Sequence, residues 1–169
     1  IFIAMVAGTF CTQAVVEGAQ NGMKEDVKYL WQPNTCAGST QLSKEKVGGD
    51  GSASQDWWIV NGGSKDIRDP EQQTDPAVVW ARELGLGMIY GWAWAQVLQI
   101  AGQLDGGLTR ANTILAARAL DMNNPLQLPG MVFHVDGNKD SYYTEGGVFQ
   151  QFDVAKQSYV NRTELFNLD

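Results

Sequence analysis

The first twenty residues, IFIAMVAGTFCTQAVVEGAQ, constrain the fold more than any other stretch of the chain. The unbroken apolar run IFIAMV is the pattern of a strand buried on both faces of a parallel sheet. It stops at Ala7-Gly8-Thr9-Phe10-Cys11-Thr12. A helical pattern follows, with Ala14, Val15, Gly18 and Ala19 on one side and Gln13, Glu17 and Gln20 on the other. Strand, small-residue turn, hydroxyl cap (Thr9 or Thr12) and helix make the first half of a βαβ unit. Ligands of open α/β sheets occupy the crevice beyond the carboxyl ends of the strands, where Gly8–Thr12 falls. Backbone N–H groups at the helix start would face a bound oxygen there. An ordinary βα turn that binds nothing has the same local pattern.

The same punctuation then recurs. Asn21-Gly22 is a stop signal, and Val27–Trp31 reads as a second strand, closing a unit whose crossover is expected to be right-handed. That strand runs into Gln32-Pro33-Asn34-Thr35-Cys36-Ala37, a second polar turn at the same edge of the sheet. Cys11 and Cys36 each follow an apolar run by a few residues. On neighbouring parallel strands the two thiols come within disulfide reach, and a disulfide implies an oxidising compartment. Two unpaired thiols are the alternative. Gln41–Lys46 predicts a short helical turn, Gly48–Ser52 a flexible loop, and Trp57–Val60 a third strand.

From Asn61-Gly62-Gly63-Ser64 to Asp75 the chain is polar and punctuated, as expected of a crossing between two lobes. Asp75-Pro76 then opens a helix as N-cap and first helical residue. The segment 85–104, GLGMIYGWAWAQVLQIAGQL, is apolar almost all round and predicts a helix buried within a domain. Trp94 reads there as core. Tyr90 is the better ligand candidate, because a buried phenol needs a polar partner. Thr109 caps a further helix over 110–120. Val132–Val135 alternates like a strand, and 147–152 with 156–160 reads as a hairpin. The single His134 makes no metal site alone and reads as structural or surface.

Bulk properties narrow the function. The 169 residues are 44% apolar and 18% charged, as in a soluble globular chain with a sizeable core. A net charge of −7 argues against nucleic acid or an anionic membrane as main partner. No apolar run is long enough to span a bilayer. The chain begins inside a strand without Met, so it reads as an excerpt and the missing signal peptide proves nothing. There is no GxGxxG after a strand, no P-loop, no HExxH and no GxSxG. No nucleophile or acid–base pair stands out.

The ordered set AGTFCTQA, LWQPNTCA, DPAVVWARE, MIYGWAWAQVLQIAGQLDGGLTRANTILAARAL and VFHVDGNKDSYYTEGGVFQQFDV resembles the substrate-binding proteins of ABC transporters. The cluster is that of the leucine/isoleucine/valine-binding proteins, actinobacterial members in particular, and the match covers the C-terminal half of such a protein. The resemblance implies an α/β, type I periplasmic-binding-protein fold. In it, two Rossmann-like lobes with parallel sheets flanked by helices close on a ligand. Residues 1–62 fall to the second lobe, 63–140 to the first, and 141–169 return to the second lobe and the C-terminal tail. Family ligand positions fall on Gly8, Thr9, Phe10, Asn34, Thr35 and Tyr90. Three departures accompany the match, the first being that the opening half of the first lobe, which in the family usually grips the ligand carboxylate through Ser/Thr and backbone N–H groups, is absent from this sequence. Asn34 is neutral where an acid often holds a ligand ammonium, and Glu83-Leu84-Gly85-Leu86 joins two helices abruptly, as if a loop were missing. The resemblance further implies a monomeric, extracytoplasmic protein, lipid-anchored at full length, with no enzymatic activity, cofactor, metal or nucleic-acid partner. It would capture a small organic ligand (a branched-chain amino acid, an amide or a related apolar organic acid) for the membrane permease of an ABC importer. The ligand-sensing domain of a receptor or regulator is the alternative, and a Rossmann-type enzyme a third reading.

Overall fold

Strict alternation in the segment Trp57–Asn61 sets up the architecture: Trp57, Ile59 and Asn61 are buried, while Trp58 and Val60 face the other way and are half-buried. In the computed structural model, which describes residues 1–84 and 87–168, this segment is the middle strand of a five-stranded sheet. The strands are β1 (Phe2–Ile3), β2 (Leu30–Gln32), β3 (Trp57–Asn61), β4 (Val148–Asp153) and β5 (Ser158–Asn161), and they neighbour one another in chain order. β1, β2 and β3 are parallel; β4 and β5 add antiparallel, as the expected hairpin. The sheet is therefore mixed and not wholly parallel. Helices α1 (Thr9–Gln20), α2 (Met23–Asp26) and α3 (Lys44–Val47) contribute to a core of Val15, Leu30, Leu42, Trp57, Ile59 and Phe152. On the opposite face Trp31 stacks on Trp58 with ring centroids 5.4 Å apart, and Phe149 meets Trp31 edge-on at 5.5 Å.

β1 departs from expectation. Phe2, Ala4 and Val6 pack toward the core, but Ile1, Ile3 and Met5 are exposed. The strand lies at the sheet edge, bonded only to β2, and nothing among the described residues covers its outer face. An apolar run fixes what can be buried, and the neighbours decide what is.

After α4 (Pro76–Leu84), a second core lies between α5 (Met88–Gln103), α6 (Arg110–Arg118) and the chain that follows α6. Two of the three sequence-predicted caps are formed; the hydroxyl cap expected from Thr9 or Thr12 is not, because α1 starts from Gly8 with no side-chain cap bond and Thr12 Oγ1 donates to Gln41 O instead. Asp75 Oδ1 accepts from the N–H groups of Ala77 (2.9 Å) and Val78 (3.3 Å), and Thr109 Oγ1 accepts from the N–H of Asn112 (3.2 Å). Lys65 Nζ donates to Asp75 Oδ2 at 2.5 Å, which, with the cap bonds, holds that carboxyl below its ordinary value. The stabilisation it brings is present at neutral pH and is lost as pH falls through the depressed value.

Val97 and Ala101 of α5 pack with Ala116, Leu120, Phe133 and Val135. The other flank of α5 is open, with Trp94 58% and Leu98 47% exposed. The expectation of a helix buried all round is thus corrected: α6 and the 131–135 stretch cover one side, and no described residue covers the other. The strand expected at Val132–Val135 is also absent. Isolated bridges, Asp121 with His134 and Asp136 with Asp140, stand in its place. His134 is exposed there, its Nδ1 3.8 Å from Asp121. The abrupt junction at Gly85-Leu86 lies outside the described residues.

The two cores are joined where the chain leaves β3. Asn61 staples this exit: its Nδ2 donates to Ser64 O (3.0 Å) and its Oδ1 accepts from Ser64 N (3.1 Å). Residues 63–65 then run against 126–128, through Lys65 N to Leu126 O (2.8 Å) and Leu128 N to Gly63 O (2.6 Å). Gly63 has φ +79°, and a Cβ there would overlap the Met131 side chain. A Cβ on Gly147, where the chain returns to β4, would overlap the carbonyl of Asn61. By contrast, Gly91 in α5 has nothing within 4 Å of an added Cβ. Gly91→Ala is expected to stabilise by about 0.5–1 kcal/mol, and Gly63→Ala to destabilise by about 2 kcal/mol. Urea denaturation of the two variants, shifting midpoints in opposite directions, is the check.

Candidate functional site

The two turns at the carboxyl ends of β1 and β2 are bound to each other. Gly8, at φ +59°, lets the chain swing into α1, which places the buried Cys11 in the first turn of that helix. A single 3-10 turn, Asn34–Cys36, follows β2 and ends on the equally buried Cys36. Cys11 and Cys36 form a disulfide with Cα atoms 5.7 Å apart, as their placement after two adjacent strands predicted. Two hydrogen bonds reinforce it. Thr35 Oγ1 donates to Val6 O at 3.0 Å, and the buried Gln32 donates through Nε2 to Cys11 O at 2.6 Å. Asn34 is thereby held beside Gly62, so close that a Cβ on Gly62 would lie 3.0 Å from its Nδ2.

A cavity of about 540 Å³ opens at this point, between the end of the sheet and the helical core. Asn34, Gly62 and Ser64 line it from the sheet side. Tyr90, Trp94 and Val97 line it from α5, and Arg118 from the end of α6. Leu120, Gln127, Phe133, Tyr143 and Thr144 complete most of the wall. Phe133 and Tyr143 stack with centroids 4.8 Å apart. Mostly aromatic and apolar walls with a few polar groups are the make-up of a small-molecule site, and the volume falls in that range.

The sequence-predicted site residues divide into two sets. Asn34 and Tyr90, 56 positions apart in the chain, line the same cavity, although Tyr90 is 65% exposed and not buried as the sequence suggested. Gly8, Thr9, Phe10 and Thr35 do not line it. Thr35 spends its hydroxyl on Val6, and Phe10 is exposed to solvent. Thr9 borders a separate, shallower hollow of about 320 Å³ with Thr12, Gln13, Val16, Gln41 and Lys46, where Thr12 Oγ1 donates to Gln41 O at 2.5 Å.

Sequence reasoning missed Trp94, Arg118, Gln127 and Tyr143. Trp94, read as core, is an exposed cavity wall. Gln127 is 8% exposed, and its buried Oε1 has no hydrogen-bond partner among the described residues. Such an acceptor costs about 1–3 kcal/mol when nothing donates to it. No local pattern marked it, since only the crossing of 63–65 against 126–128 brings it to the cavity.

The architecture is shared with known structures. A solute-binding protein of an ABC transporter from R. palustris, in complex with 4-hydroxybenzoate, superposes with a TM-score of 0.69 at 12% identity, covering 98% of this chain and 44% of that one. A branched-chain amino acid ABC transporter protein from Thermus thermophilus with bound valine gives 0.65 at 12% identity, over 90% and 43%. A fatty acid ABC transporter substrate-binding protein from Thermomonospora curvata gives 0.59 at 14%, over 92% and 41%. The fold is that of ABC-transporter solute-binding proteins. Within this solute-binding fold the chain spans less than half the length of these three structures. No protein-family model matches the sequence, and no curated protein does either.

The disulfide closes a separation of 25 residues. Replacing both cysteines by Ser, or reducing the native protein, is expected to lower unfolding free energy by about 3 kcal/mol. Chemical denaturation with and without reductant measures it. Two free thiols in the intact mass of the alkylated, unreduced protein would contradict the pairing.

Proposed function

We propose that this chain is the solute-capturing part of an extracytoplasmic binding protein that serves an ABC importer. The observation that carries the proposal is the cavity itself, walled by Asn34 from the sheet side and Tyr90 from the helical side, in a fold shared with solute-binding proteins. On this reading residues 1–62 and 141–169 form one lobe and 63–140 the other, and the crossings at 61–65 and 144–147 are the hinge. Asn34 and Tyr90 touch the solute. Gly8, Thr9, Phe10 and Thr35 form the adjoining turn that keeps Asn34 in place.

Chemistry and compartment both support capture. The hydroxyls of Ser64, Ser141 and Thr144 line the cavity, but no His, Asp or Glu among the described residues lines it to activate them as nucleophiles. A disulfide between the two turns suits an oxidising compartment outside the cytoplasm. The three similar structures carry hydroxybenzoate, valine and a fatty-acid designation, all organic acids with an apolar body. The proposed solute is of that kind, bound without cofactor by a monomer and passed to a membrane permease.

Thermal unfolding of the purified protein with a pool of amino acids, amides, and short-chain and aromatic acids tests this. A true ligand at a hundredfold over its Kd stabilises by about 2.7 kcal/mol. Tyr90→Ala is expected to remove that shift while leaving the unliganded midpoint unchanged, because the side chain is mostly exposed. No shift with any member of the pool would overturn the proposal.

A further inference from the structure

We infer that the cavity selects a monocarboxylate with an aromatic or branched apolar body, its carboxylate held by Arg118, over neutral and zwitterionic solutes of the same shape. The inference rests on the solute-binding reading of the same cavity. Its basis is charge. The chain carries 19 acidic against 12 basic residues, yet the one charged side chain among the described lining residues is the cation of Arg118. Asp136 and Glu145 neighbour lining residues in sequence without lining the cavity themselves, and Asp136 is engaged by Lys139 Nζ at 3.2 Å.

Arg118 is also unspent. Arg68, Arg82 and Arg162 donate to Thr40, Gln73 and Gln151 respectively. The Arg118 guanidinium has no hydrogen bond or ion pair among the described residues, while its backbone carbonyl accepts from Gly137 N at 2.7 Å and fixes the end of α6 at the cavity wall. A planar guanidinium is the side chain best matched to a carboxylate, with two parallel N–H bonds available. The aromatic walls of Tyr90, Trp94, Phe133 and Tyr143 suit an apolar body behind it.

The second polar point of the solute follows from the same lining. The available acceptors, the side-chain oxygens of Asn34 and Gln127 and the hydroxyls of Ser64, Ser141 and Thr144, are all neutral. An ammonium brought against them loses water without gaining a countercharge, whereas a hydroxyl loses little. An acid with no second charge is therefore preferred to an amino acid.

Isothermal titration with two matched sets of probes separates these cases: 3-phenylpropanoate, 3-phenylpropanamide and phenylalanine; 3-methylbutanoate, 3-methylbutanamide and valine. In at least one set the acid is expected to bind more tightly than its amide and amino acid by about tenfold or more. Arg118→Gln should weaken that acid by a similar factor and leave the amide within about twofold, with Arg118→Lys recovering part of the loss. The unliganded melting point of Arg118→Gln should equal that of the native protein. Equal affinity for acid and amide, tighter binding of the amino acid, or an unchanged acid affinity in Arg118→Gln would overturn the inference and leave the solute-binding reading standing. Binding of none of the six probes would overturn the inference, and the wider solute pool then tests the solute-binding reading by itself.

Discussion

The structure depends on a close approach of backbones where the chain leaves and re-enters the sheet. Gly63 has no room for a Cβ beside Met131, and Gly147 none beside the carbonyl of Asn61. Those two contacts let the segment 61–65, the segment 126–128 and the start of β4 pass one another within hydrogen-bonding distance. Two separate hydrophobic cores are thereby joined by short segments of chain. A cavity at such a junction draws its walls from the helical core and from the turns at the end of the sheet, which is why residues as distant in sequence as Asn34 and Gln127 share it.

On the sheet side, position is set by cross-linking. The disulfide, the Thr35 hydroxyl and the Gln32 amide all tie the turn after β2 to the turn after β1. Each of these polar groups is spent on rigidity, and Asn34, next to them, is left at the cavity. On the helical side the capped starts of α4 and α6 play the corresponding part. Asp75 and Thr109 satisfy N–H groups that would otherwise be unpaired, and α5 is held against α6 through Val97, Ala101 and Ala116.

What was legible in the sequence is what local chemistry decides. Asp75-Pro76 and Thr109 mark helix starts because a side-chain oxygen must meet free N–H groups there. Short runs rich in apolar and aromatic residues between turn signals mark Trp57–Val60 and the terminal hairpin as strands, while the alternation of buried and half-buried side chains along β3 and β4 emerges only in the fold. Cys11 and Cys36 were pairable because each follows a strand at the same edge of the sheet. Coverage was not legible. The runs IFIAMV and MIYGWAWAQVLQIAGQ have apolar groups on every side, and nothing local tells which sides meet another element; in the fold, Ile3, Met5, Trp94 and Leu98 stay exposed. The strand expected at Val132–Val135 needed a long partner and found only single bridges. Of the site, Asn34 and Tyr90 were reachable through resemblance, while Arg118 looked like any basic residue at a helix end and Gln127 like any loop glutamine.

The central claim is that the junction of the two cores, and not the turn at the start of α1, is where a solute binds. A crystal structure of the protein grown with the solute that gives the largest thermal shift addresses it most directly. The account predicts the solute seated between Asn34 and Tyr90, with an oxygen within hydrogen-bonding distance of Arg118 or Gln127. A solute seated in the hollow beside Thr9, Gln41 and Lys46, with the larger cavity holding only water, would contradict it.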